Sequence, residues 1–315
     1  MEYIVLDLEW NQATPNRDTK LEAIPFEIIE IGAVKVNEQL EIVDRFHRLI
    51  RPRIYPELES NIRKLISISQ VDLKKGTTFT RAFRDFFQWC GEEYIFCTWG
   101  STDLIELQRN MKYYHFRPLS QGPFMYYNVQ KLFAIFYDSE RRNRALEYAV
   151  NYFHIQENGK FHSAIADATY TAYVLQHFNL EEAKGYMEID YFHPPKRRKD
   201  QMYVNFADYA KFISMAYEQK EDLMRDKDVK KSKCCVCNKN VVKKIDWFTN
   251  NSKNYYGVFY CKQHGYLKGK MRVKKSDAGK VFIVKTMKKI TEEEAHLLKD
   301  QKEKIKKKKN NNTAE

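Results

Sequence analysis

The feature that most constrains the fold is an apolar segment near the start of the chain that carries two acids. Residues 3–10 read YIVLDLEW. Side chains alternate between the two faces of a strand, so Asp7 and Glu9 project from one face while Leu6 and Leu8 project from the other. Adjacent carboxylates at the edge of a core repel each other unless a cation lies between them. The segment therefore predicts a buried strand with a divalent-metal site along one face.

Strands and helices then alternate along the first part of the chain. Residues 26–36 and 41–51 read as two further strands joined by a polar turn, which predicts an antiparallel meander after the first strand. An antiparallel start followed by alternating elements predicts a mixed α/β sheet flanked by helices. The remaining predicted elements are helices at 60–72 and 78–90, a strand at 93–99, a helix from 102, a strand at 126–129, and helices at 144–153 and 163–178.

Three more polar residues stand at the ends of predicted elements. Asp103 follows the strand at 93–99, where the chain passes into a helix. His162 stands at the start of the helix at 163–178, and Asp167 lies just over one turn inside it. Taken singly, acids and histidines are mostly surface or capping residues. The chemical interpretation therefore depends on finding all five residues, Asp7, Glu9, Asp103, His162 and Asp167, in one chain.

Together these residues resemble the three motifs of the DEDDh 3′-to-5′ exonucleases, in the same order. The motifs are Asp7-x-Glu9, Asp103 after Trp99-Gly100, and His162-x4-Asp167. The stretches FEIIEIGAV (26–34) and HSAIADA (162–168) resemble the branch that contains the enhancer-of-RNAi exonucleases and bacterial KapD-type proteins. The resemblance covers residues 1–182. It implies an RNase H-like sheet and a 3′-to-5′ exonuclease.

The resemblance also implies a role for each residue. Asp7 would bridge two Mg²⁺ or Mn²⁺ ions, Glu9 and Asp167 would hold one of them, and Asp103 would act on the second, largely through water. His162 would be the general base in a reaction that releases nucleoside 5′-monophosphates. Four carboxylates balance the charge of two divalent ions, and hard oxygen ligands suit Mg²⁺.

Two further residues are candidates for substrate binding. Trp10 follows Glu9, and the resemblance implies that its backbone lies near the terminal nucleotide. Its ring either stacks on a base or belongs to the core. Glu30, on the second strand, either supports the site from outside or is a plain strand-surface glutamate.

The net charge of +12 is unevenly divided. Residues 1–190 contain 22 Lys and Arg against 27 Asp and Glu, whereas residues 191–315 contain 32 against 15. A strongly basic segment gains from counterion release on a polyanion, so nucleic acid is the expected partner. The alternative is that the lysines only keep the chain soluble.

The composition predicts four regions. Residues 1–182 form the exonuclease domain, and 183–230 form a linker, exposed at HPPKRRK (193–199), with a helical segment at about 205–227. Residues 231–290 form a zinc-binding module. Residues 291–315 form a lysine-rich tail that we expect to be disordered.

The zinc-binding module is predicted from two ligand pairs. Cys234-x2-Cys237 and Cys261-x2-His264 would form a tetrahedral Cys3His site with no open position, so one Zn²⁺ would be structural. Cys235 leaves a second register open, and thiols without metal remain the alternative. The aromatic and lysine residues around the ligands fit either single-stranded RNA binding or a small core.

Several classes of protein are excluded. The 315 residues, 43% of them hydrophobic, suffice for two domains with cores. No apolar run reaches the roughly 18 residues of a membrane span, the first ten residues contain three acids, and six cysteines are too few for a disulfide scaffold. We expect a cytoplasmic protein with no membrane partner.

The sequence therefore predicts a metal-dependent 3′-to-5′ exonuclease acting on single-stranded 3′ ends. RNA is favoured over DNA only through the branch resemblance. The alternatives are a DNA-directed or proofreading exonuclease, or a non-catalytic nucleic-acid-binding protein that uses the zinc module.

Overall fold

The computed structural model describes residues 1–14, 21–156, 159–249 and 251–311. They form two compact units, one of residues 1–119 with 125–190 and the other of residues 120–124 with the chain from Tyr191 onward. No helix in these described stretches combines the length and the apolar character needed to cross a membrane.

The first unit is built on a six-stranded mixed sheet in the order β3-β2-β1-β4-β5-β6. Its first three strands pair antiparallel, whereas β1 with β4 and β4 with β5 pair parallel. The predicted mixed α/β sheet is thus confirmed. The strands are β1 (Glu2–Gln12), β2 (Phe26–Val36), β3 (Ile42–Leu49), β4 (Tyr94–Thr98), β5 (Phe124–Asn128) and β6 (Glu188–Asp190).

Eight helices accompany this sheet in the described residues of the first unit. The single helix predicted at 60–72 is wrong, because the chain is extended at Ile66 and a second helix begins after Ser69, whose side chain caps it. The helices are α1 (Ser60–Leu65), α2 (Gln70–Lys75), α3 (Phe79–Cys90), α4 (Thr102–Tyr113), α5 (Val129–Phe136), α6 (Leu146–Tyr152), α7 (Ala164–Leu175) and α8 (Leu180–Ala183), with a 3-10 turn at Lys184–Tyr186.

A glycine in β2 allows α7 to lie against the sheet. Gly32 is the partner of Asp7 in the β1–β2 pair. A Cβ atom at Gly32 would lie 2.1 Å from the carbonyl carbon of Ala164 and 2.1 Å from the nitrogen of Ile165. Both contacts are with backbone, so no side-chain rotation can relieve them. The absence of a side chain at Gly32 therefore sets the distance between α7 and the acids of β1.

The second unit contains a six-stranded antiparallel sheet in the order β7-β8-β12-β11-β10-β9. Two short helices lie between β8 and β9 in the sequence, and a long helix follows β12. The strands are β7 (Met202–Asn205), β8 (Tyr209–Ile213), β9 (Val242–Thr249), β10 (Asn254–Cys261), β11 (Gly265–Lys275) and β12 (Val281–Lys289), and the helices are α9 (Lys220–Arg225), α10 (Lys227–Lys230) and α11 (Glu292–Asn311), with a 3-10 turn at Arg198–Asp200.

The prediction of a linker at 183–230 with a helix at about 205–227 is wrong. The stretch contributes β6 to the first sheet and β7 and β8 to the second, and α9 covers only six residues. Ala210 and Phe212 are buried, and β8 pairs with β12 from Tyr209 to Ile213. Pairing with a strand far along the chain decides the conformation here, and local sequence does not reveal that pairing.

The prediction of a disordered tail at 291–315 is also wrong over residues 291–311, where α11 forms; residues 312–315 lie outside the described residues. Thr291 and Glu294 make a reciprocal capping box, in which the Thr291 hydroxyl accepts from the Glu294 N–H and the Glu294 carboxylate accepts from the Thr291 N–H. Ala295 and Leu298 are buried against Phe248 and Val258. Packing and a cap thus stabilise a helix in a segment whose lysine content had led us to predict disorder.

We expect Gly32→Ala to destabilise the protein by about 3 kcal/mol, the upper part of the range for overpacked sites. The added methyl collides with the backbone of α7, so the helix must move. Thermal or urea unfolding measures the change. Gly122→Ala is the control, because a Cβ atom there meets nothing within 4 Å. Equal stability of the two variants would contradict the close approach.

Candidate active site and metal centre

Strand β1 presents the first two acids. Asp7 and Glu9 face the same side and are both half-buried, with Gly32 and Glu30 of β2 as their partners. The pairing register shifts between Glu9 and Trp10, which marks a β-bulge directly after the second acid. Bulges often re-aim a side chain next to a site.

Asp103 is brought to β1 by the parallel pairing of β1 and β4. The chain leaves β4, turns at Gly100 with a positive φ of 106°, and enters α4 with Asp103 in its first turn. The side chain is buried, and its Oδ1 accepts a hydrogen bond from the Leu8 N–H at 3.2 Å. Asp103 is therefore fixed between the two acids of β1.

The beginning of α7 completes the cluster. The His162 N–H donates to Asp167 Oδ2 at 3.0 Å, and Asp167 is 9% exposed. One ligand atom each from Glu9, His162 and Asp167 lies within 4.8 Å of the others. Asp167 Oδ1 is buried without a hydrogen-bond partner in the described structure. A buried carboxylate oxygen of this kind needs a donor or a cation.

Burial and mutual repulsion disfavour ionisation of the two β1 acids. Burial, followed by the charges of Asp103, Asp167 and Glu9, raises the pKa of Asp7 well above its ordinary value. Burial, followed by the charges of Glu30 and Asp167, raises the pKa of Glu9 to about 8. Both acids therefore hold protons that an exposed carboxyl group would release.

The other two acids are shifted in the same direction but less. Burial raises the pKa of Asp103 to about 7, against the hydrogen bonds from backbone N–H groups that include that of Leu8. Burial raises the pKa of Asp167 to about 6, against the His162 N–H and the charge of His162. The donated hydrogen bonds stabilise the charged form and limit each shift.

These features fit divalent cations. In the described part of the chain, no lysine or arginine pairs with any of the four carboxylates. Carboxylate oxygens are the ligands that Mg²⁺ and Mn²⁺ prefer, and a bound cation reverses the repulsion that raises the pKa values. The orphaned oxygen of Asp167 provides one ready ligand atom.

Glu30 connects β2 to α7. It is 1% exposed, and its carboxylate accepts from the Ala164 N–H at 3.0 Å and from the Ser163 hydroxyl at 3.4 Å. The Nε2 atom of His47 lies 2.7 Å from Oε1 of Glu30, the oxygen that also accepts from Ser163. These contacts support a positioning role at the N-terminus of α7, where a negative charge is favourable.

The second substrate-binding candidate is half-buried. The Trp10 ring packs against Phe26 with 5.8 Å between ring centroids. Stacking of this ring on a base therefore stays a prediction.

Sequence reasoning missed two residues that build this site. Gly32 had a readable signal, since a glycine inside a strand often marks a close backbone approach. His47, on β3, lies beside Glu30 only because β2 and β3 pair, and a lone histidine gives no local signal.

A second cluster lies in the other unit. One ligand atom each from Cys234, Cys237, Cys261 and His264 lies within 4.8 Å of the others. The Cys237 and Cys261 sulfurs are 3.7 Å apart, and the Nδ1 atom of His264 is 3.6 Å from the sulfurs of Cys234 and of Cys261. A tetrahedral ion with Zn–S bonds of about 2.3 Å places its ligand atoms about 3.7 Å apart. The spacing fits Zn²⁺.

The thiol at Cys235 has other neighbours. It is 6% exposed and packs in an apolar cluster with Ala210, Leu267 and Met287. Of the two registers that the sequence leaves open, only the one with Cys234 appears in the ligand cluster. In that cluster, burial acts to raise the pKa of Cys261, but hydrogen bonds from Gln263 and His264 outweigh it and lower the pKa to about 6.

Comparison with known families agrees with this geometry. The sequence model of the exonuclease family (RNase T) matches residues 4–175, more than half of the chain. The chain belongs to this exonuclease family. The prediction of a DEDDh 3′-to-5′ exonuclease is confirmed at the level of the family. The match ends within the first unit, so the chain from Tyr191 onward lies outside it.

Two curated relatives and one solved structure are similar to the first unit. The probable 3′-5′ exonuclease KapD of Bacillus subtilis (strain 168) is 29% identical over 167 residues, which are 51% of this chain and 77% of KapD. The 3′-5′ exoribonuclease 1 of Rattus norvegicus is 22% identical over 153 residues, 45% of this chain and 44% of the rat enzyme. The chain thus matches less than half of the rat enzyme's length.

The solved structure is the nuclease domain of 3′hExo, a DEDDh family member bound to rAMP. It is 22% identical to this chain, with a TM-score of 0.50, and the alignment covers 60% of this chain and 96% of that domain. At this identity the likeness shows a shared fold.

The metal-free protein should lose stability as the pH rises from about 4 to about 8. Unfolded carboxyl groups release their protons near pH 4, whereas Asp167, Asp103 and Glu9 in the folded protein do so at about 6, 7 and 8. Across this window the folded protein holds protons that the unfolded chain has released, so rising pH favours unfolding. Thermal melting without divalent metal measures the loss.

Saturating Mg²⁺ or Mn²⁺ should raise the melting temperature more at pH 8 than at pH 6. At pH 6 the cation must displace protons that the acids retain, whereas at pH 8 more of these protons have already been released. The double variant Asp7→Asn with Glu9→Gln is the control, and it should show a smaller pH dependence and a smaller metal effect. A metal effect that is equal in the variant and the natural chain would contradict the assignment.

Proposed function

We propose that this protein is a metal-dependent 3′-to-5′ exonuclease that removes nucleoside 5′-monophosphates from single-stranded 3′ ends. One observation carries the proposal. Glu9, His162 and Asp167 offer ligand atoms within 4.8 Å of one another, and Asp103 and Asp7 are linked to them by the Leu8 hydrogen bond and by the charges that raise the pKa of Asp7. Burial raises the pKa of all four acids, and neighbouring acids raise it further, so the folded protein is less stable unless the site binds cations.

Each residue contributes through its position. Bound Mg²⁺ or Mn²⁺ ions would neutralise charge on the phosphate and on the leaving 3′ oxygen. Asp7 and Glu9, on one strand face, and Asp103, fixed by Leu8, would hold these ions. Asp167 would add its unpartnered Oδ1.

His162 would act as the general base. Its side chain is 42% exposed, and its backbone N–H is tied to Asp167. An imidazole exchanges protons at neutral pH, and this one can reach water while remaining beside the acids. Its Nε2 atom lies 4.0 Å from the carboxylate of Glu147.

RNA is the favoured substrate. The rat relative is named an exoribonuclease, and the 3′hExo domain with the shared fold was solved with rAMP. A DNA-directed or proofreading exonuclease is the alternative within the same chemistry. A non-catalytic binding protein is less well supported, because it has no use for four acids that disfavour folding.

Asp7→Asn should lower the rate of hydrolysis at least 100-fold, because it removes a charge that holds the ions. The assay uses single-stranded RNA and DNA labelled at the 5′ end, with Mg²⁺, Mn²⁺ or neither, and reads the ladder of products. A ladder shortening from the 3′ end of RNA more than of DNA supports the proposal.

Asp85→Asn is the matched control, since this substitution makes the same change at a partly exposed position of the same unit, where the carboxylate pairs with Arg48. It should leave the rate within about twofold. Equal activity of Asp7→Asn and Asp85→Asn, or intact strands under all metal conditions, would refute the proposed reaction.

We also propose that Cys234, Cys237, Cys261 and His264 hold one structural Zn²⁺. The four ligands fill a tetrahedral ion completely, which leaves no position for water and thus no catalytic role. Cys234 and Cys237 precede β9, whereas Cys261 ends β10 and His264 directly precedes β11. Tyr260 pairs with Val242, so both ligand pairs lie at the same end of these strands and the ion would join them there.

Cys261→Ser should abolish zinc binding and lower the melting temperature of the full chain, because the metal's binding energy contributes to folding. Elemental analysis should find one zinc per chain in the natural protein. Cys235→Ala is the control, and it should keep the zinc although it alters the apolar cluster. Zinc retained in Cys261→Ser, or lost in Cys235→Ala, would exclude this ligand set.

A further inference from the structure

Strand β11 carries four cations on one face of the second sheet. Lys268, Lys270, Arg272 and Lys274 alternate with residues of the opposite face, of which Leu267 and Met271 are fully buried. We call these four residues the β11 cation row. Alternate residues of a strand are about 6.8 Å apart, so the row extends over about 20 Å.

The β11 cation row works against the stability of the sheet. Lys268 stands directly opposite Lys288 of β12, and like charges in this position are destabilising. Partial burial, followed by the charge of Arg272, lowers the pKa of Lys270 and of Lys274. A negatively charged ligand would relieve both effects.

The acids that usually balance such charges are elsewhere. Lys288 pairs with Asp208 at 3.1 Å, but no carboxylate of the described residues pairs with a member of the row. Three members of the row, Lys268, Lys270 and Lys274, lie over aromatic rings. Lys274 lies 5.9 Å from the centre of the Tyr191 ring.

A tyrosine stands beside the first two cations. Tyr256 of β10 pairs with Lys270, and its ring centre is 5.5 Å from the Lys268 ammonium and 5.7 Å from that of Lys270. The ring is half-buried and contacts Phe248 on one side. The core thus holds an aromatic ring in place between two cations.

We propose that the β11 cation row and Tyr256 bind a single-stranded nucleic acid, with phosphates on the cations and a base against the tyrosine ring. This inference rests on the proposed function, because the bound strand would be the one whose 3′ end is cut. Cations that track a backbone, together with an aromatic ring for a base, are how single strands are bound without sequence preference. Acidic peptides and anionic membranes also carry charge but have no base for the ring.

The binding experiment uses the full chain with Asp7→Asn, so that the strand is not degraded. Fluorescence anisotropy with a labelled oligouridine of about twenty nucleotides measures affinity at several salt concentrations. Each lost phosphate contact reduces the salt slope by about 0.7. Lys268→Gln with Lys270→Gln should therefore lower the slope by about 1.4 and weaken binding about 25-fold at 0.1 M salt.

Lys304→Gln with Lys307→Gln is the matched control, with the same change of charge on exposed positions of α11 in the same unit. It should leave affinity and slope nearly unchanged. Equal losses in the two double variants would show a general charge effect and overturn the proposal.

The tyrosine is tested separately. Tyr256→Leu keeps an apolar side chain against Phe248 but removes the ring, and it should weaken binding at least about 5-fold without changing the salt slope. Unchanged affinity in this variant would overturn the role of the ring. Competition by polyglutamate or by phosphatidylserine vesicles as effective as that by oligouridine would also overturn the choice of ligand.

Two further measurements distinguish a failure of this binding proposal from a failure of the proposed exonuclease reaction. The lysine double variant should melt no lower than the natural chain, because it removes like-charge repulsion; a lower melting temperature would indicate a structural role instead. With Asp7 restored, the variant with Lys268→Gln and Lys270→Gln should cleave a trinucleotide at the normal rate but a long strand more slowly. If the natural chain cleaves nothing, the proposed reaction fails, while the anisotropy experiment still decides whether the row binds nucleic acid.

Discussion

The repulsion among four carboxylates is the constraint on which the site depends. Asp7, Glu9, Asp103 and Asp167 are buried or half-buried; burial raises the pKa of each, and the charges of Asp103, Asp167 and Glu9 raise the pKa of Asp7 further. Such a cluster is stable only if the surrounding elements hold it and if cations or protons balance its charge. The rigid elements of the first unit do the holding. Strand β1 carries Asp7 and Glu9 and pairs with β2, α4 carries Asp103, and α7 carries Asp167.

Two residues of β2 control how closely α7 approaches. Gly32 leaves space for the backbone of Ala164, and Glu30 accepts the N–H of the same residue. The first sets the distance and the second fixes the end of the helix. Asp167 lies within the first turn of α7, so its carboxylate is placed by contacts made one turn earlier. A site of this kind tolerates little movement, since metal ligands must be held within a fraction of an ångström.

The second unit has the opposite charge and a different organisation. Its sheet has no parallel pair among the described strands, and its ligand cluster is made of sulfur and nitrogen rather than oxygen. Sulfur and imidazole select a structural ion, whereas carboxylates select the cations that handle phosphate. Like charge is concentrated in both units, as acids around the first site and as cations along β11. Both concentrations disfavour folding, and binding a partner of the opposite charge would relieve either one.

The sequence by itself predicted the family, the first three strands and the acids of the first cluster, as well as the two ligand pairs of the second cluster with Cys234 and Cys235 as alternatives; it did not predict the break between α1 and α2, nor α5 or β6. Periodicity placed Asp7 and Glu9 on one face, and short spacing paired Cys234 with Cys237, because these relations are local. Only the tertiary structure decided that residues 209–213 form a strand, that α11 is a folded helix, and that Cys234 rather than Cys235 joins the ligand cluster. These outcomes depend on pairing with distant strands and on burial against them, and such contacts leave no mark in the neighbouring sequence.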